Sequence, residues 1–186
     1  EALERLDAVL ASDPGDALTL KLVHQIRFML GDAAGMRRAA DRMVQPHAGF
    51  GPEHPHRGYV LGQRAFALEE TADYNEAEHW GRRGLELNAD DAWGLHAVAH
   101  VHEMRVDPET GKRWLMDNKP AWQNSNNFKV HVWWHMALYL LEEGDQLQLA
   151  SQPTHGKCLK ECRTIEATCE DILDKADTDN RVDIEE

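Results

Sequence analysis

Positive charge is in short supply: 20 Lys and Arg face 33 Asp and Glu, a formal net charge of −13. A nucleic-acid surface needs a concentrated Lys/Arg footprint to displace counterions from phosphates, so that class of partner is excluded. Long apolar runs are missing too. No stretch approaches 18 uninterrupted apolar residues, which excludes a membrane-spanning helix, and no charged start leads into a short apolar run of the secretory kind. The chain begins at Glu1, without a methionine and already in a helical pattern, so it reads as a fragment. The expected localisation is cytoplasmic. Cysteine is sparse: Cys158, Cys162 and Cys169 are odd in number and lack C-x-x-C spacing, which excludes a zinc ribbon and a disulfide framework. A P-loop, a nucleophile elbow and a dinucleotide fingerprint are all absent.

Period-two alternation is scarce, whereas apolar residues recur at i, i+3, i+4 throughout, which predicts an all-α chain. The expected helices are 2–12, 16–30, 32–44, 57–71, 74–87, 90–105, 109–117, 127–143 and 157–175. Asp13-Pro14-Gly15, Gly31-Asp32, Asn88-Ala89-Asp90 and Gly144-Asp145 punctuate them. The proline-bearing run QPHAGFGPEHPH at 45–56 is the longest expected loop. Its histidines, His47, His54 and His56, read as solvated. An offset of 34 lays Ala65 over Ala99 and Ala77 over Gly111, and a further 35 brings FKVHVWWHMALYL into the same register. Two helices per unit at that period predict a helical-repeat array like the tetratricopeptide solenoids, an α-α superhelix over residues 1–150. Residues 151–186 are set apart as a C-terminal helix and acidic tail.

The runs GYVLGQRAFALEETADYNEAE, LELNADDAWGLHAVAHVHEM and NFKVHVWWHMALYLLEEGD, all within residues 58–143, carry a closer likeness. The chain resembles the tetratricopeptide-repeat-protein-thirty-eight family, also called StaR-like. KLVHQIRFMLGD at 21–32 is compatible with it. The resemblance implies the helical-repeat fold and, through antibiotic-cluster relatives, a speculated hydroxylase role. The pattern of tetratricopeptide units implies that positions two, five, nine and twelve of each first helix face the concave surface. With Ala65, Ala99 and Trp134 at the eighth position, the second is Tyr59, Trp93 and Phe128, the fifth Gly62, His96 and His131, and the ninth Phe66, His100 and His135. His24 takes the ninth position of an earlier unit, and Glu69 and Glu103 take the twelfth.

The histidine spacing also speaks for itself. Residues four apart project from one helix face, with Cβ atoms ~5–6 Å apart, so His96/His100 and His131/His135 each form one side of a clamp. Neighbouring helices ~8–10 Å apart bring four imidazoles within reach of one ion or ligand. Zinc accepts that nitrogen set, and ferrous iron would take histidines with Glu103. The competing reading is packing, in which each imidazole hydrogen-bonds locally and stays neutral. HAVAH is not a metalloprotease motif, because Ala97 stands where the glutamate base would be. Tyr59, Trp93 and Phe128 are a candidate stacking wall, while of the adjacent Trp133 and Trp134 at least one should pack between helices.

Cys158, Cys162, Ile165, Cys169 and Ile172 form an apolar helix stripe in which the cysteines act as small hydrophobes. Beyond it, Asp177, Asp179, Asp183 and Glu186 resemble part of a calcium loop that lacks its central glycine and its full oxygen set, so an acidic tail is expected. Two functions follow. The first is a binding or scaffold module holding a peptide or small ligand in a groove lined by Tyr59, Trp93, His96, His100, Glu103, Phe128, His131 and His135. The second is a metal-dependent or histidine-based enzyme, of the hydroxylase or oxygenase kind, with zinc or iron at His96, His100, His131 and His135.

Overall fold

The structure is a computed structural model that describes residues 1–45 and 50–142. Its described residues are all-α: α1 (Ala2–Ser12), α2 (Ala17–Met29), α3 (Ala33–Met43), α4 (Arg57–Glu69), α5 (Tyr74–Leu87), α6 (Ala92–Met104), α7 (Pro108–Asp117), α8 (Lys119–Trp122) and α9 (Phe128–Glu142). None of these helices is long and apolar enough to cross a membrane. The helices expected from periodicity are present with ends shifted by a residue or two, and the short α8 is an addition. The expected helix at 157–175, its cysteine stripe, the acidic tail and His47 lie outside the described residues.

Aspartate side chains cap the starts of α2, α3, α6 and α7. Asp16, Asp32, Asp91 and Asp107 accept from the backbone N–H of Thr19, Gly35, Gly94 and Thr110, satisfying donors that the first turn leaves open. Stops are just as local. After α2, α4 and α6 a residue turns into the left-handed region, namely Gly31 (φ 70°), Ala72 (φ 60°) and Val106 (φ 54°). The next N–H then reaches back to a carbonyl of the last turn: Asp32 to Arg27, Asp73 to Leu68 and Asp107 to His102, at 2.9–3.0 Å. Each joint folds the chain back on itself, so the next helix packs against the last.

Helices α2, α4, α6 and α9 neighbour one another in chain order, with α3, α5 and α7 packed beside them. Small residues permit the close approaches. A Cβ on Gly62 or Gly94 would collide with the Asp91 carboxylate, so α4 and the start of α6 close over that side chain. Gly111 leaves room for the Tyr139 ring, whose hydroxyl donates to the Ala99 carbonyl at 2.5 Å. Leu95, Ala99, Leu115, Trp122, Val132, Trp133, Met136 and Leu140 fill the core between α6, α7, α8 and α9. Of the tryptophan pair, Trp133 is buried edge-on against Trp122 at 5.3 Å, and Trp134 is 47% exposed. Ala65 and Ala99, at the matching position, are fully buried. The difference follows from place: among the described residues no helix comes after α9 to cover that face.

Candidate metal centre

Helices α6 and α9 each present two histidines one turn apart, and the fold sets those faces against each other. The Nε2 atom of His96 lies 2.8 Å from that of His131, 3.1 Å from that of His135 and 2.9 Å from that of His100. His131 and His135 Nε2 are 3.3 Å apart. One ligand nitrogen from each residue lies within 4.8 Å of every other. His96 and His135 are buried, His100 is half-buried and His131 is exposed, so the cluster opens to solvent at one corner.

Carboxylates stand behind two of the rings. Glu103 Oε2 accepts from His135 Nδ1 at 2.8 Å, and Glu69 Oε2 sits 3.5 Å from His100 Nδ1. The Nδ1–H of His135 is therefore fixed by its partner, which leaves its Nε2 as a bare lone pair. If His100 points its proton at Glu69, the same holds there. Then at most two N–H groups, those of His96 and His131, serve four nitrogen–nitrogen contacts, and some contacts set lone pair against lone pair. A cation at the centre removes that conflict. Burial favours the neutral form of three of the imidazoles: the His96 and His135 pKa values are lowered chiefly by desolvation, and His131 is lowered to about 4 by desolvation and then by His135. Glu103 is held below the usual carboxylate range by its bond to His135. Neutral imidazole is the form that ligates a metal.

Aromatic rings wall the cluster. Phe66 stacks on His96 at 5.8 Å, Trp93 lies 5.4 Å from His96, and Phe128 touches Trp93, His96 and His131 at 5.3–5.9 Å. No known protein-family model matches the chain, and no solved structure matches it. The centre is therefore read from its own geometry.

The structure brings His96, His100, His131 and His135 to one point and rims them with Trp93 and Phe128. Tyr59 stands apart. Its hydroxyl donates to Asp90 at 2.6 Å, and it lines a cavity together with Trp93. Glu103 faces the Nδ1 side of His135, away from the converging nitrogens, so it orients a ring instead of completing a ligand set. His24 does not join the cluster; its Nε2 meets the Gln63 carbonyl at 2.9 Å. His54 and His56 make local contacts, the His54 ring against Phe50 and its Nδ1 accepting from the His56 N–H.

Sequence reasoning missed Lys21, Gln63 and Asp91, which line the cavity beside Trp93. Lys21 sits at the sixth position when His24 is the ninth, outside the four positions expected to face a groove. Its signal was there in part: a lysine among the apolar residues of KLVHQI has few ways to avoid burial.

Proposed function

We propose that the protein is a metal-dependent small-ligand-binding module in which His96, His100, His131 and His135 hold one zinc-type divalent ion between α6 and α9. The observation that carries this is the convergence of four Nε2 atoms with too few protons to satisfy their contacts. Zinc prefers four ligands in a tetrahedron at Zn–N distances of ~2.0–2.1 Å, for which the nitrogen–nitrogen edge is ~3.3–3.4 Å. Four of the six edges measure 2.8–3.3 Å and need to lengthen by up to about half an ångström, and the other two, from His100 to His131 and His135, lie within 4.8 Å. Carboxylates behind His135 and His100 match the way metal-ligating histidines are oriented.

Four protein ligands close a tetrahedral zinc, whereas catalytic zinc keeps a position open. We therefore assign the ion a holding role: it ties α9 to α6 and stiffens the Trp93–Phe128 wall against which a ligand packs. This favours the binding reading of the sequence over the oxygenase reading, for which Glu103 would have to leave His135. The tetratricopeptide-like array remains our reading of the helix order. It is supported by the recurrence of one pairing, Glu69 of α4 with His100 of α6 and Glu103 of α6 with His135 of α9.

The test is elemental analysis of protein purified without a metal-affinity tag, with a chromogenic zinc chelator as competitor. We expect about one zinc per chain, and loss of more than tenfold in affinity for a His96→Gln/His135→Gln double variant that still folds. A wild-type chain that neither retains zinc nor takes it up at micromolar concentration would overturn the reading.

A further inference from the structure

We infer that the cavity between α2, α4 and α6 is a binding site for a small carboxylate-bearing molecule, with Lys21 as the counter-cation and the Trp93 indole as the apolar wall and second donor. The cavity has a volume of about 290 Å³ and is lined by Ala17, Leu18, Lys21, Tyr59, Gln63, Asp91 and Trp93. That is the low end of small-molecule pockets, enough for a ligand of roughly ten non-hydrogen atoms.

What selects the ligand chemistry is the set of polar atoms left over. Lys21 Nζ and Trp93 Nε1 are both buried, and neither has a hydrogen-bond partner among the described residues. Both are donors only. Among the described residues Lys21 has no carboxylate within ion-pair distance, and Asp91 acts on it only from farther away; its ammonium rests 3.5 Å above the Trp93 ring centroid. An unpaired ammonium and an unpaired indole N–H at one cavity are complementary to an anionic acceptor, and a carboxylate can take one hydrogen bond from each.

The acidic groups nearby do not fill this role. Asp91 accepts from Gly94 N–H through Oδ1 and packs Oδ2 against the backbone of Gly62 and Gly94. Asp90 accepts from Tyr59. Two further unpartnered oxygens belong to lining residues: Asp91 Oδ2, turned toward Gly62 and Gly94, and Gln63 Oε1, an acceptor that suits a hydroxyl or amine on the same ligand. Below the wall, Trp93 lies against His96, so the ligand would sit one ring away from the four-histidine cluster without touching it. The inference uses none of the cluster's ligating atoms and does not depend on whether an ion is held there.

The test compares phenylacetate with its neutral isostere phenylacetamide, on zinc-loaded and chelator-treated protein in parallel. Binding is followed by calorimetry and by the nitrogen-15 shift of the Trp93 indole, assigned with Trp93→Phe. We expect phenylacetate to saturate at sub-millimolar concentration, to move the Trp93 indole N–H resonance, and to bind at least tenfold tighter than the amide in both forms of the protein. Lys21→Met keeps the length of the stem and removes the charge; it should cost phenylacetate at least tenfold and leave the amide within twofold. Equal affinity for acid and amide, no binding by either, or a Lys21→Met chain that binds the acid as wild type does would overturn the inference. The wild-type comparison decides even if the variant does not fold. Failure here with zinc retained leaves the metal centre standing, and carboxylate binding without zinc uptake does the reverse.

Discussion

Replacing Glu103 with Gln probes the metal centre without touching a ligating atom. Glu103 is half-buried and its Oε2 lies 2.8 Å from His135 Nδ1, which makes this a charge-assisted hydrogen bond to a buried ring. Gln fills the same volume and can still offer an oxygen to the N–H, so the metal-free fold should lose about 1 kcal/mol, the difference between a charge-assisted bond and the neutral one that Gln keeps. Zinc binding has more to lose. The carboxylate fixes the tautomer that presents Nε2 and raises its basicity, and loss of such a partner typically weakens a metal by about 10–100-fold, or about 1.4–2.7 kcal/mol. Glu69→Gln is the internal control, because its 3.5 Å approach to His100 is longer, and it should weaken zinc less. Competition against a chromogenic chelator reads the affinities, and thermal melts of the stripped proteins read the fold. Glu103→Gln binding zinc within twofold of wild type, or Glu69→Gln having the larger effect, would refute the assignment of Glu103 as the orienting group.

Further outcomes are expected elsewhere. His24 is fully buried, and desolvation with help from Lys21 lowers its pKa from 6.5 to about 4, so the unfolded chain binds the extra proton first as pH falls. Its contribution is complete above pH 6.5 and drains away between there and pH 4, worth on the order of 3 kcal/mol; urea melts of metal-free His24→Gln should show a flatter acid limb than wild type. Val106 is 75% exposed and sits at φ 54°, where a β-branched residue is strained by about 1–2 kcal/mol, so Val106→Gly should stabilise the chain by about 1 kcal/mol in the same melts. Gly62→Ala drives a Cβ into the Asp91 carboxylate and should destabilise by about 1–3 kcal/mol or more, seen as a drop in Tm.

Much of this architecture was legible in residue order. The i, i+3, i+4 pattern and the Asp and Gly punctuation marked the helices because starts and stops are local events, as the Asp16, Asp32, Asp91 and Asp107 caps illustrate. The histidine pairs were legible for the same reason: a spacing of four is one helix face, and the 35-residue offset between His96 and His131 put both faces on neighbouring helices. Pairings that cross helices were harder. That Glu103 would meet the back of His135 depends on the angle between α6 and α9, and nothing local encodes it. Helix α8 was missed because four residues are too few to carry a period. Lys21 was missed because a register drawn for one surface says nothing of positions that look sideways into the gap between helices.

The uneven burial of the four histidines bears on timing as well as affinity. His131 is the exposed corner, while His96 and His135 are buried and the His96 ring is closed in by Phe66, Trp93 and Phe128. Exchange of an ion held there would begin at this most exposed ligand, with His131 swinging away and a competing ligand taking its place. The pace of that step would follow the fraying of the first turns of α9, three residues from its start at Phe128, so residence time would be set by a helix end and could change without any change in the ligand set.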